Sequence, residues 1–156
     1  MTRNGLIITA AGGSAALLLG ALAFQYIGGL HPCVLCLWQR WPHLAAVGLG
    51  LVALVVPGRV WPGLGAVAAL TTAGIGGFHA GVELGWWQGL DSCTGPGLAG
   101  LSTQALLDPT ATVAAPVRCD AVAWSLLGIS MAGWNMLISL GLAAVWLTAA
   151  GKVRKG

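Results

Sequence analysis

Long apolar stretches broken at a few polar points dominate the chain. Leu6 to Leu30 carries no Asp, Glu, Lys or Arg, and Val60 to Val82 is equally free of them, with His79 its one titratable side chain. A helix needs about 20 mostly apolar residues to cross the ~30 Å hydrocarbon core of a bilayer, and both stretches meet that length. A third stretch, Ala121 to Gly151, is longer than one span requires, so its first turns are expected at the interface. The fourth is the informative one. Its purely apolar part, Leu44 to Val56, is too short to cross, so its helix must begin earlier and take in Gln39 and Arg40. That places an arginine at or just below the membrane surface.

The pattern predicts one all-α membrane domain over residues 1–156, a four-helix bundle with spans at about 6–28, 34–56, 61–83 and 127–149. A short turn at 29–33 and a long, mostly irregular loop at 84–126 join the helices on one side. The loop is rich in Gly and Pro from Gly95 to Gly100 and from Pro109 to Pro116. Between these, Leu98, Leu101, Ala105 and Leu106 recur at helical spacing and suggest a short helix lying on the bilayer. Ala21 and Ala23 also form an A-x-A site after an apolar run headed by Arg3, as in a cleaved signal peptide. The apolar character continues through Leu30, which favours a retained span. No internal repeat and no soluble second domain are expected.

Composition agrees with a lipid solvent. Charged residues make up 7% of the chain and hydrophobic ones 57%, against roughly 25% charged in soluble domains, and the mean hydropathy is +0.85. The net charge of +3 is too small to argue for nucleic acid. Its placement says more. Arg3, Arg59, Lys152, Arg154 and Lys155 fall at the two termini and in the turn after the second span, a side that the positive-inside tendency makes cytoplasmic. The expected setting is therefore a bacterial inner membrane, with both termini cytoplasmic and the 29–33 and 84–126 loops periplasmic. Glu83, Asp91, Asp108 and Asp120 lie in or bound the long loop, and Arg118 is its one basic residue. Trp38, Trp41, Trp61, Trp86, Trp87, Trp124 and Trp146 fall near span ends, as in an interfacial belt, and Trp134 does not.

Four cysteines carry the candidate chemistry. Cys33 and Cys36 form Cys-Val-Leu-Cys directly after Pro32, and proline favours the first helical position. The pair is thus expected on the first turn of the second span, where free N–H groups and the helix dipole stabilise a thiolate. Arg40 follows Cys36 by four residues and shares its helix face. Cys93 and Cys119 lie in the outward loop and tend to pair in an oxidising compartment, although four cysteines allow three connectivities. A disulfide in a Gly-rich loop is expected to be exposed to an incoming thiolate. Two inert braces are the plain alternative. A CxxC bridge closes so small a loop that it stabilises little, and is better suited to being opened. Zinc is disfavoured because the outward side is oxidising and the second pair lacks CxxC spacing; a c-type haem needs CxxCH, and Leu37 stands where the histidine belongs.

Arg40 at membrane depth calls for a reason, and snorkelling to the headgroups is the simplest. With Cys36 one turn away, a quinone offers another, because its carbonyl oxygens become negative on reduction and a guanidinium stabilises that charge. His79, near the outward end of the third span, is a candidate for a hydrogen bond or proton to the same ring, or for a buried histidine satisfied by a neighbouring helix. Glu83 is expected at the interface.

These residues resemble the disulfide bond formation protein B (DsbB) family. The resemblance rests on Pro32-Cys-Val-Leu-Cys36 followed by Gln39 and Arg40, on Cys93 and Cys119, and on Cys119-Asp-x-x-x-Trp124-x-x-Leu-Gly-x-x-Met131, and it covers nearly the whole chain. It implies that Cys93 and Cys119 reoxidise a periplasmic thioredoxin-like oxidase of the DsbA type. By the same resemblance Cys93 takes the mixed disulfide, Cys119 exchanges with Cys33, and Cys36 remains as the thiolate facing ubiquinone or menaquinone, with Arg40 as the quinone-site arginine and no metal. The quinone-site histidine of relatives does not align unambiguously with His79. Two other readings are a vitamin K epoxide reductase-like protein, in which the CxxC lies late in the chain, and a structural or assembly membrane protein.

Overall fold

A computed structural model describes residues 1–90, Cys93 and 117–152. The short helix expected over Leu98 to Leu106 lies outside these residues. Four helices run up and down: α1 (Arg3–Tyr26), α2 (Val34–Val55), α3 (Val60–Glu83) and α4 (Met131–Gly151). Sequential helices are neighbours, α1 also packs on α4, and α3 against α4 is the most extensive pair. The result is the expected all-α membrane four-helix bundle.

Small residues let the bundle close. α3 buries Gly65, Ala66, Ala69, Thr72, Ala73, Gly76 and His79 at spacings of three and four, the spacing at which one helix face lets another backbone approach. At Gly76 an added Cβ would meet the Ala132 carbonyl oxygen at 3.0 Å. At the end that carries the termini, Ile7, Ala10, Ala53, Ala66, Ala69, Ala143 and Ala149 surround the wholly buried Trp146. Its ring lies over Gly65, where a Cβ would come within 2.7 Å. Trp146 is therefore a core residue, not the interfacial one expected, because glycine opposite it leaves room for the indole. Large apolar side chains point outward instead: Leu19, Leu51, Val67 and Leu147 are all exposed, a surface suited to lipid and not to water.

Three helices, α1, α3 and α4, are long and apolar enough to cross a membrane by length and composition. α2 has the length, but its first half holds Gln39, Arg40, Pro42 and His43. Gln39 and His43 are buried against neighbouring helices, which is how polar side chains are tolerated at membrane depth.

The last helix starts at Met131, four residues later than the expected span. Leu127 and Gly128 both adopt positive φ, +54° and +77°, as a type I′ turn demands. They join β1 (Ser125–Leu126) to β2 (Ile129–Ser130) in a two-stranded hairpin pairing Ser125 with Ser130 and Leu126 with Ile129. Ser130 then caps α4, its hydroxyl accepting the Gly133 N–H at 3.2 Å. The later start brings Trp134 into the first turn of α4, so the one tryptophan that looked misplaced is also at a helix end.

Candidate active site

All four cysteines gather at the end of the bundle opposite the termini. Cys33 is the N-cap of α2, and its Sγ accepts the Cys36 N–H at 3.2 Å. The helix thus begins at Val34, and the CxxC occupies its cap and first turn. The Cys33 thiol donates to Cys36 Sγ at 2.8 Å. Cys33 is buried and Cys36 half-buried.

Cys93 and Cys119 form a disulfide with Cα atoms 5.1 Å apart. The expected pairing holds, but the expected exposure does not: the two residues are 1% and 0% exposed. The cause is tertiary docking. Cys119 donates its N–H to the Cys93 carbonyl at 3.2 Å, its own carbonyl lies 3.1 Å from His79 Nε2, and Leu35 and Val82 pack around the sulfurs. Docking brings the pairs together. The Sγ atoms of Cys33 and Cys119 and a His79 ring nitrogen all lie within 4.8 Å of one another. Cys93 also lines a cleft with Trp86, Gln88, Gly89 and Asp120, whereas Cys119 does not. Beside Cys119, Arg118 is ion-paired with Asp120 and holds its carboxyl below the usual carboxylate range.

Cys33, Cys36 and Arg40 line a cavity of about 520 Å³ bounded by all four helices. Leu17, Ala21, Phe24 and Trp134 make its walls largely apolar. Arg40 Nη1 donates to Gln25 Oε1 at 2.6 Å, while its buried Nε has no partner among the described residues. A quinone fits this lining: its ring and tail suit the apolar walls, its size suits the volume, and an unpaired cationic donor waits for an oxygen.

His79 borders the same cavity yet turns its Nε2 towards Cys119 and Cys33, the latter at 3.6 Å. Glu83 ends α3. Its side chain is 6% exposed, with Oε1 3.8 Å from His79 Nε2.

Sequence reasoning did not assign a buried polar chain behind His79. Gln39 Nε2 lies 3.1 Å from His79 Nδ1 and donates to the Leu35 carbonyl at 3.1 Å. Asn135 Nδ2 donates to Gln39 Oε1 at 2.7 Å and to the Thr72 carbonyl at 3.3 Å. His43 Nε2 lies 2.8 Å from Asn135 Oδ1, and the Ser139 hydroxyl donates to the same oxygen at 3.4 Å. The signal for these residues was present: Gln39 and His43, and Asn135 and Ser139, are i, i+4 polar pairs inside apolar runs.

The sequence profile described as "Disulfide bond formation protein DsbB" matches residues 3–149. Similar proteins include "Disulfide bond formation protein B" of Methylococcus capsulatus, 36% identical over 137 residues and 83% of each chain. Its namesake in Xanthomonas axonopodis pv. citri is 38% identical over 149 residues, covering 90% of this chain and 86% of that one. A third, from Saccharophagus degradans, is 33% identical and covers 92% of this chain and 89% of its own. No solved structure matches the chain significantly.

Proposed function

Because this chain belongs to the disulfide bond formation protein B family, we propose that it oxidises a thioredoxin-fold dithiol oxidase and delivers the electrons to a membrane quinone. One observation carries the reading. The two cysteine pairs meet at one point, with Cys33 and Cys119 sulfurs within 4.8 Å of each other, and Cys33 and Cys36 both border the apolar cavity that Arg40 lines. The cleft at Cys93 supports that sulfur as the entry point. A partner thiolate attacks Cys93, the Cys93–Cys119 bond breaks, and Cys119 leaves as a thiolate. In the oxidised CxxC, Cys119 attacks Cys33; the Cys33–Cys119 bond forms, the Cys33–Cys36 bond breaks, and Cys36 carries away the electron pair. In the fully reduced first turn the Cys33 thiol donates to Cys36 Sγ at 2.8 Å, which supports Cys36 as the thiolate of the pair.

A bound quinone, ubiquinone or menaquinone, supplies a two-electron acceptor. Arg40 would hold a ring oxygen through its free Nε, and Gln25 would keep the guanidinium in place. The protein's place is the bacterial inner membrane, with Arg3, Arg59 and Lys152 on the cytoplasmic side and the cysteine end periplasmic. The burial of Cys93–Cys119 also suits a passive brace, so the test must separate the two. In Cys119→Ala, Cys93 should accumulate a covalent adduct with a thioredoxin-fold protein, visible on non-reducing gels. If no adduct forms while such an oxidase is present and turning over, the brace is the better account.

A further inference from the structure

Three backbone carbonyls fix the proton positions in the buried chain behind the cysteines. A carbonyl oxygen only accepts hydrogen bonds. The atom of Asn135 that meets the Thr72 carbonyl at 3.3 Å must therefore be its amide nitrogen, which also donates to Gln39 Oε1 at 2.7 Å. The atom of Gln39 that meets the Leu35 carbonyl at 3.1 Å must likewise be nitrogen. That same nitrogen faces His79 Nδ1 at 3.1 Å, so Nδ1 is the acceptor. The other end of the ring gives the same answer independently: Nε2 meets the Cys119 carbonyl at 3.1 Å and must carry the hydrogen. Glu83 Oε1, at 3.8 Å from Nε2, is the nearby carboxylate and also favours a proton there.

We propose that Asn135 and Gln39 are positioning residues that hold His79 as its neutral Nε2–H tautomer, so that this single N–H pins the Cys119 carbonyl and faces the Cys33 sulfur. The inference rests on the exchange proposed above and assigns its geometry. Pinning Cys119 keeps its sulfur within reach of Cys33. The nitrogen that carries this hydrogen lies 3.6 Å from Cys33 Sγ, where it serves the return step. In that step Cys93 attacks Cys119, the Cys93–Cys119 bond forms, the Cys33–Cys119 bond breaks, and Cys33 leaves as a thiolate that accepts the hydrogen bond without taking the proton. Nothing is oxidised or reduced overall. A metal at Cys33, His79 and Cys119 would need the opposite tautomer, with Nδ1–H directed at the Gln39 donor.

The test is nitrogen NMR on protein labelled with ¹⁵N-histidine, with His31→Gln and His43→Gln forms assigning the three rings. The wild type should show a protonated-type shift at Nε2 and an unprotonated-type shift at Nδ1 of His79. Gln39→Glu, which sets an acceptor against Nδ1, should move the proton to Nδ1, and Asn135→Asp should shift it part of the way. Quenched-flow alkylation should then show Cys33–Cys119 exchange slowed roughly tenfold, the worth of about one hydrogen bond. A wild-type proton on Nδ1 overturns the proposal, even if neither variant folds. So does an inverted tautomer with unchanged exchange. Absence of any Cys33–Cys119 exchange in the wild type would sink the parent reading instead, and is separable because the tautomer spectrum is recorded without turnover.

Discussion

Replacing Arg40 with methionine keeps an unbranched side chain in the wall of the cavity while removing the guanidinium. In the wild type Nη1 is committed to Gln25 at 2.6 Å, and the buried Nε has no partner among the described residues. The substitution therefore withdraws one free charged donor from the ligand. A hydrogen bond to a charged group is worth about 1.5–3 kcal/mol, and each 1.36 kcal/mol is about tenfold. The kcat/KM for quinone should fall roughly ten- to a hundredfold. Exchange among the four cysteines should remain near the wild-type rate. The assay is a quinone titration of purified protein with a reduced thioredoxin-fold substrate, run beside single-turnover alkylation of the cysteines. Unchanged turnover and apparent quinone affinity would remove Arg40 from the site, and equal loss of exchange would make its effect structural.

Gln25→Ala should lower quinone affinity by less than Arg40→Met, since the guanidinium remains but loses its tether; the same titration reads it. Gly65→Val should destabilise the bundle by about 1–3 kcal/mol through overpacking against Trp146, seen as a lower midpoint in thermal unfolding of detergent-purified protein, with little change at the cysteines. Arg118→Ala should raise the titration of the Asp120 carboxyl towards the ordinary aspartate range, read by carbon NMR. The sign follows from the ion pair: Arg118 depresses Asp120, so the pair persists above the ordinary range and is lost as pH falls through the folded value.

The helices were largely legible because lipid imposes a length and an apolar composition that few other constraints disturb. α1 and α3 follow their apolar runs to within a few residues. α4 does not, because Leu127-Gly128 is not a sequence that announces a type I′ turn, and leucine at positive φ is tolerated only in its folded setting. The positions of Cys33, Cys36 and Arg40 were local facts of one helix turn and could be read directly. The burial of Cys93–Cys119 and the orientation of His79 were not. Both depend on a loop carbonyl docking against α3, with Gln39 of α2 and Asn135 of α4 behind it, an arrangement three helices make together. Trp146 escaped for a similar reason: a tryptophan near a span end reads as interfacial until the glycine opposite it is known.

Electron transfer from thiols to quinone is tested most directly by stoichiometry in purified protein. Reduced thioredoxin-fold oxidase and ubiquinone-type quinone are mixed with catalytic amounts of the wild type, and thiols and quinol are counted together. One quinone should be reduced for each dithiol oxidised, with activity abolished in Cys36→Ser. Dithiol oxidation that proceeds without quinone, or quinone reduction that survives the loss of Cys36, would contradict the account.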